Sequence, residues 1–175
     1  MTRRPAVAAL AALALALELA AVPARAQAPP VPGPAGEDSS AAQAASESTV
    51  RTTIQRHLGR PYVWGSSGLK SYDCSGFVWR VMNENGILIK RTTARKYFLT
   101  LPRVSDDDRW AFGNIVFFSN LKHCGIVRTP ETFYHAAVSA GTHVSRFDPM
   151  WRGKVSGVRA MPRLAGSEAS APAGH

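Results

Sequence analysis

Cysteine is scarce in this chain, with only Cys74 and Cys124 among 175 residues. A disulfide scaffold needs a denser set, so the fold must rest on an apolar core. Nowhere do histidine and its neighbours form an HxxEH or clustered-ligand pattern, so no metal or cofactor is expected. Acidic residues are also outnumbered, 12 against 21 Lys and Arg. That excess favours polyanionic partners, either wall polymers or membrane surfaces. Nucleic acid is the poorer match: the basic residues are scattered, and no helix-turn-helix, zinc-ligand or stacking-platform pattern accompanies them. No internal repeat is apparent, and 45% hydrophobic residues suit one compact domain with unstructured flanks.

The one long hydrophobic run opens the chain. Met1-Thr2-Arg3-Arg4 leads into an alanine- and leucine-rich stretch to Val22, followed by Pro23-Ala24-Arg25-Ala26. A positive start, an apolar middle and a small-x-small exit predict a secretory signal peptide over 1–26. The alternative is an uncleaved membrane anchor, but Glu18 within the run and the Ala24-x-Ala26 exit favour cleavage before Gln27. With glutamine there, no lipid-bearing cysteine follows the cut. The remaining chain has 18 basic and 11 acidic residues, net +7. It is expected to be exported, without a membrane span, to the periplasm or cell envelope or beyond it. Residues 27–46 and 165–175 are rich in Pro, Ala, Gly and Ser, and read as a disordered linker and tail. The folded unit is expected over 47–164.

Within it, Val50, Ile54 and Leu58 recur at helical spacing and the pattern stops at Gly59. A second helix is expected over "SGFVWRVMNENG", with Phe77, Val78, Val81 and Met82 on one face and a stop at Asn85-Gly86. Four short apolar runs follow: "IVFF", "HCGIV", "TFYHAAV" and "THVSRF". Turn residues separate them as in an antiparallel meander. Helices followed by consecutive strands indicate the α+β class, with N-terminal helices packed on an antiparallel sheet of about four to six strands.

The stretch "YDCSGF" puts Cys74 at the start of the second helix, where the helix dipole favours a thiolate. Ser75 and Gly76 are small enough for a carbonyl to approach the sulfur and the first free N–H groups. Gly65 and Gly68 suggest a loop packed beside the site. By itself the hexapeptide fits a buried structural thiol equally well. A nucleophilic cysteine needs a histidine base held by a third polar group. His123 and His135 share one sheet face if the turn around Thr129-Pro130-Glu131 is odd in length; an even turn splits them. Gly125 leaves room beside His123. His57, His143 and His175 read as solvated residues. Cys124 points away from the His123 face into the core, as a small hydrophobe poorly placed to bridge Cys74.

Taken in order, these segments resemble the NlpC-type family of bacterial cell-wall cysteine peptidases. "GRPYVWGSSG" is similar to the family's Pro-Tyr-x-Trp-Gly-Gly loop, "YDCSGFV" to its Asp-Cys-Ser-Gly motif, and "IKRTTARKY" to its Pro-Arg-Thr-Ser segment. "FGNIVFF" is similar to Gly-Asp-Leu-Val-Phe-Phe, "HCGIV" to His-Val-Gly-Ile-Tyr, and "YHA" to Ile-His-Ala. The resemblance implies a papain-like fold with Cys74 as nucleophile at a helix N-terminus, His123 as base and His135 as the group orienting it. It places Tyr62 beside the thiol, and Asp73 and Ser75 at a substrate amine. The implied substrate is the peptidoglycan stem peptide, cut at the γ-D-glutamyl to diaminopimelate bond or, alternatively, at the D-alanyl cross-link. A non-catalytic wall-binding protein or an acyltransferase on the same fold are the other readings, and a protein adaptor or activator has room in each. Asn114, Ser66, Lys96 and Lys122 depart from the family pattern.

Overall fold

The computed structural model describes residues 35–162, with side chains from residue 40. The expected signal peptide over 1–26, the first part of the linker, and the tail over 165–175 with His175 lie outside the described residues.

The first helix, α1 (Ala35–Arg56), begins inside the segment read as disordered. This corrects the linker over 35–46. Residues 40–46 are exposed, so the expectation of no burial fits, but alanine is the strongest helix former and extends the helix without packing. Packing starts at Val50, and Ile54 is fully buried. Gly59, at φ 73°, ends the turn after the helix as expected and donates its N–H to the Thr142 carbonyl at 2.8 Å.

Helix α2 (Cys74–Glu84) buries Phe77, Val78, Val81 and Met82, the face read from the sequence. Its end is a Schellman motif: Gly86 donates to Asn83 O at 3.1 Å and Ile87 to Met82 O at 2.9 Å, with Gly86 left-handed at φ 77°. Two helices go beyond the sequence reading, α3 (Ala94–Thr100) and α4 (Pro149–Gly153). Both are too short to show periodicity; their signals are the caps, Thr93 and Asp148, with Pro149 at the first helical turn.

The expected strands are present as β1 (Ile115–Phe118), β2 (His123–Thr129), β3 (Thr132–Ala137) and β4 (Gly141–Arg146). A fifth, β5 (Val155–Arg159), pairs antiparallel with β1 and gives the order β4-β3-β2-β1-β5. Gly157 interrupts its apolar pattern because a Cβ there would meet the Phe98 ring at 2.7 Å. The class is α+β, as read.

Both faces of the sheet are covered. Ile115, Phe117, Cys124, Ile126, Tyr134 and Ala136 join α2 in the larger core. The alternate residues Val116, Phe118, Val127 and Phe133 pack with Phe147 and Val158, and with the half-buried Trp110 and Trp151. Each buried aromatic or branched chain contributes roughly 1.5–3 kcal/mol. The two clusters clamp the end of β2, where His123 and Cys124 point to opposite sides.

Candidate active site

Asp73 caps α2 and accepts the Gly76 N–H at 2.6 Å. The first helical bond runs from Phe77 N–H to Asp73 O, so the N–H groups of Cys74 and Ser75 stand ahead of the ladder, beside the thiol. The loop expected from Gly65 and Gly68 does press on this turn. Asp73 donates its N–H to Ser66 O at 2.9 Å, and a Cβ on Gly76 would lie 2.0 Å from that oxygen. Only glycine fits there.

The Asp73 carboxylate has no free oxygen. It accepts from Gly65 N–H at 2.8 Å, from Ser75 Oγ at 3.0 Å, and from Arg91 at 2.7 and 2.8 Å. Asp73 and Ser75 are buried. In this structure Asp73 and Ser75 cap and brace the helix start. Arg91, quoted in the motif but given no task, holds Asp73 and also reaches Ser75 Oγ at 3.0 Å.

The two histidines meet, though by an unforeseen device. The β2–β3 connection is two residues, Pro130 and Glu131, which by length alone would split them. A bulge between Val127 and Thr129 restores the parity, pairing Val127 with Phe133 and Gly125 with His135. His123 Nε2 thus comes within 2.8 Å of His135 Nδ1. A Cβ on Gly125 would sit 3.1 Å from the His135 Cβ and 2.5 Å from Tyr134 O, so the glycine makes the room expected of it. Trp151, which nothing in the sequence marked, lies edge-on to His135 at 5.1 Å and tilted over His123 at 5.7 Å. Upstream, Ser119, Asn120 and Leu121 are all left-handed, at φ 53°, 55° and 66°, turning the chain sharply into β2.

Cys74 is held at a pKa of about 5. The first cause is a hydrogen bond from the Cys124 side chain. Burial opposes it, and the His123 side chain then adds a hydrogen bond and its charge. Cys124 is pushed well above the usual thiol range by its complete burial first, then by Cys74, so it stays protonated and donates. This corrects the reading of Cys124 as only a small hydrophobe. Parity did send it into the core, but the Cys74 thiol faces the same core; both cysteines are free. Tyr62 is raised by burial, then by the Cys74 charge, and keeps its hydroxyl hydrogen beside the thiolate.

Neither of the other two described histidines is fully exposed. His57 is buried, with Nε2 3.0 Å from Glu84 and Nδ1 2.8 Å from the Tyr72 hydroxyl, away from Cys74. His143 is half-buried on β4, opposite His135. Among the departures, Asn114 donates its amide to Asp108 O at 2.7 Å, a bond that aspartate could not make. The Ser66 hydroxyl donates to Ser71 O at 2.8 Å, and Lys96 and Lys122 are exposed. Among the described residues no group of three or more His, Cys, Asp or Glu side chains could hold a metal ion.

Comparison with known proteins gives the same picture. The chain is 34% identical over 92 residues to "Probable endopeptidase p60" of Listeria grayi, covering 51% of this chain and 18% of that one. It is 30% identical over 107 residues to "Probable peptidoglycan endopeptidase LytE" of Bacillus subtilis, covering 58% and 30% respectively. The chain thus spans under a third of either relative. A solved NLP/P60-family lipoprotein-like structure from Staphylococcus aureus shares the fold, with a TM-score of 0.59 at 23% identity, over 68% of this chain and 42% of that one. The family model for NlpC/P60 matches residues 59–160, a span that holds α2, the whole sheet and every side chain gathered around Cys74. The chain belongs to the NlpC/P60 family.

Proposed function

We propose that this protein is an exported cysteine peptidase that hydrolyses amide bonds in peptidoglycan stem peptides, with the γ-D-glutamyl to diaminopimelate bond ahead of the D-alanyl cross-link. The observation that carries the reading is the line formed by Cys74, His123 and His135, with the thiol at the first turn of α2 and His123 Nε2 2.8 Å from His135 Nδ1. The substrate class follows the name of the Bacillus subtilis relative, a probable peptidoglycan endopeptidase.

The Cys74 thiolate attacks the carbonyl carbon, and the carbonyl electrons move to oxygen. The N–H groups of Cys74 and Ser75, with the Tyr62 hydroxyl, donate to that oxyanion. Collapse breaks the C–N bond, and His123 gives its proton to the leaving amine. His123 then takes a proton from water, which attacks the thioester and releases the acid and the thiol. His135 holds His123 in the tautomer these transfers need.

Mass spectrometry of fragments released from purified cell-wall sacculi tests substrate and bond together. The parent should release fragments with a new free carboxylate at the D-glutamate. Cys74→Ala should release none, and His123→Ala should act at least about a hundredfold more slowly. Digestion by Cys74→Ala at the parental rate would remove the mechanism. Products carrying an added amine or lipid would indicate acyl transfer, and an inert parent that still binds sacculi a binding module.

A further inference from the structure

We propose that Ser145 and His143 are positioning residues that complete the line from Cys74, setting the tautomer of His135 and through it the orientation of His123. The proposal rests on the reading of Cys74 and His123 as the reacting pair.

The inference starts at the far end. His143 Nδ1 lies 3.0 Å from the Gly141 carbonyl, and a carbonyl can only accept, so this nitrogen carries the hydrogen. In the neutral ring Nε2 is then a bare acceptor, and it takes the Ser145 hydroxyl hydrogen across 3.1 Å. The Ser145 oxygen still has lone pairs and accepts from His135 Nε2–H at 2.9 Å. His135 is fully buried, and with its hydrogen on Nε2 it presents a bare Nδ1. That atom accepts His123 Nε2–H at 2.8 Å, leaving His123 Nδ1 for the Cys74 thiol. One backbone carbonyl thus fixes the direction of four consecutive hydrogen bonds.

Strand register supplies the placement. His143 pairs with His135 and Ser145 with Phe133, so both project on the face that carries His135. The His143 and His135 rings sit 4.5 Å apart. Without the Ser145 oxygen, His135 Nε2–H has no acceptor, and the ring gains by moving its hydrogen to Nδ1. Two N–H groups would then confront each other between His135 and His123, and His123 would turn from the thiol.

The test uses the full chain labelled with nitrogen-15 in histidine, with tautomers read by NMR near neutral pH and sacculus digestion measured on the same samples. The parent should show His135 with its hydrogen on Nε2. Ser145→Ala and His143→Phe should shift it toward Nδ1 and lower kcat on the order of tenfold with KM nearly unchanged, and Ser145→Thr should restore both. An unchanged His135 tautomer and rate in both variants would overturn the proposal. So would a rate loss that tracks a lowered melting temperature and is not rescued by threonine, which is the mark of a merely structural role. A parent that fails to digest sacculi would defeat the functional reading alone, because the His135 tautomer still decides the positioning line.

Discussion

At position 124 this chain has a thiol where the motif it resembles has valine, and that side chain is the first cause of the acidity of Cys74. A buried S–H has few acceptors to choose from; a thiolate beside it is the best available. Cys124→Val keeps the volume and removes the donor. The Cys74 thiol should then titrate higher, so the midpoint of its iodoacetamide alkylation rate against pH should move up by about one unit, and the variant should approach the parent at alkaline pH. An unmoved midpoint would assign the acidity to His123 and the helix start alone. The gathering of Cys74, His123 and His135 was legible because the chemistry read for them restricts residue type and spacing. Cys124, Arg91 and Trp151 were not, because their roles depend on what faces them across the fold. Asp73 shows the converse: a motif residue whose polar atoms proved to be fully engaged within the chain.

Among the elements, α2 and the strands β1 to β4 were readable because each carries a long enough apolar period and a stop. The β2–β3 bulge was not, since one extra residue leaves no compositional trace, and the placement of His135 depends on it. Helices α3 and α4 fall below the length at which periodicity shows, and the glycine in β5 hides its alternation. The pairing of β2 with β3 is most exposed to change at Gly125. In Gly125→Ala the new Cβ would meet the backbone oxygen of Tyr134, which has nowhere to retreat. The strands should part locally, costing about 1–3 kcal/mol and drawing the histidine rings out of hydrogen-bond distance. A lowered thermal midpoint with slower sacculus digestion is the expected result, and a wild-type midpoint would show that the sheet yields without loss.

For the molecule as a whole, the site couples folding to acidity. Burial, then the charges of His123 and His143, push His135 down to about 3, whereas in the unfolded chain it titrates near 6.5. Between these values the unfolded chain holds the extra proton, so stability falls as pH drops through that window. Cys74, lowered from 9.0 to about 5, acts in the same sense at higher pH: its contribution is full above 9 and is lost as pH falls toward 5. Urea midpoints should therefore decline steadily from pH 9 to pH 3. Cys74→Ala should flatten the upper part of the curve and His135→Gln the lower part. Parallel curves for parent and variants would mean that neither group is linked to folding. The other whole-molecule feature is α1, which runs as a rod from Ala35 to Val50, the first buried among the described side chains, about 22 Å at helical rise. A coil of the same residues would allow a range of separations; a helix sets one. The exposed side chains over 40–46 are thus each held at one fixed distance from Val50, so this stretch offers solvent an ordered row of mostly small groups.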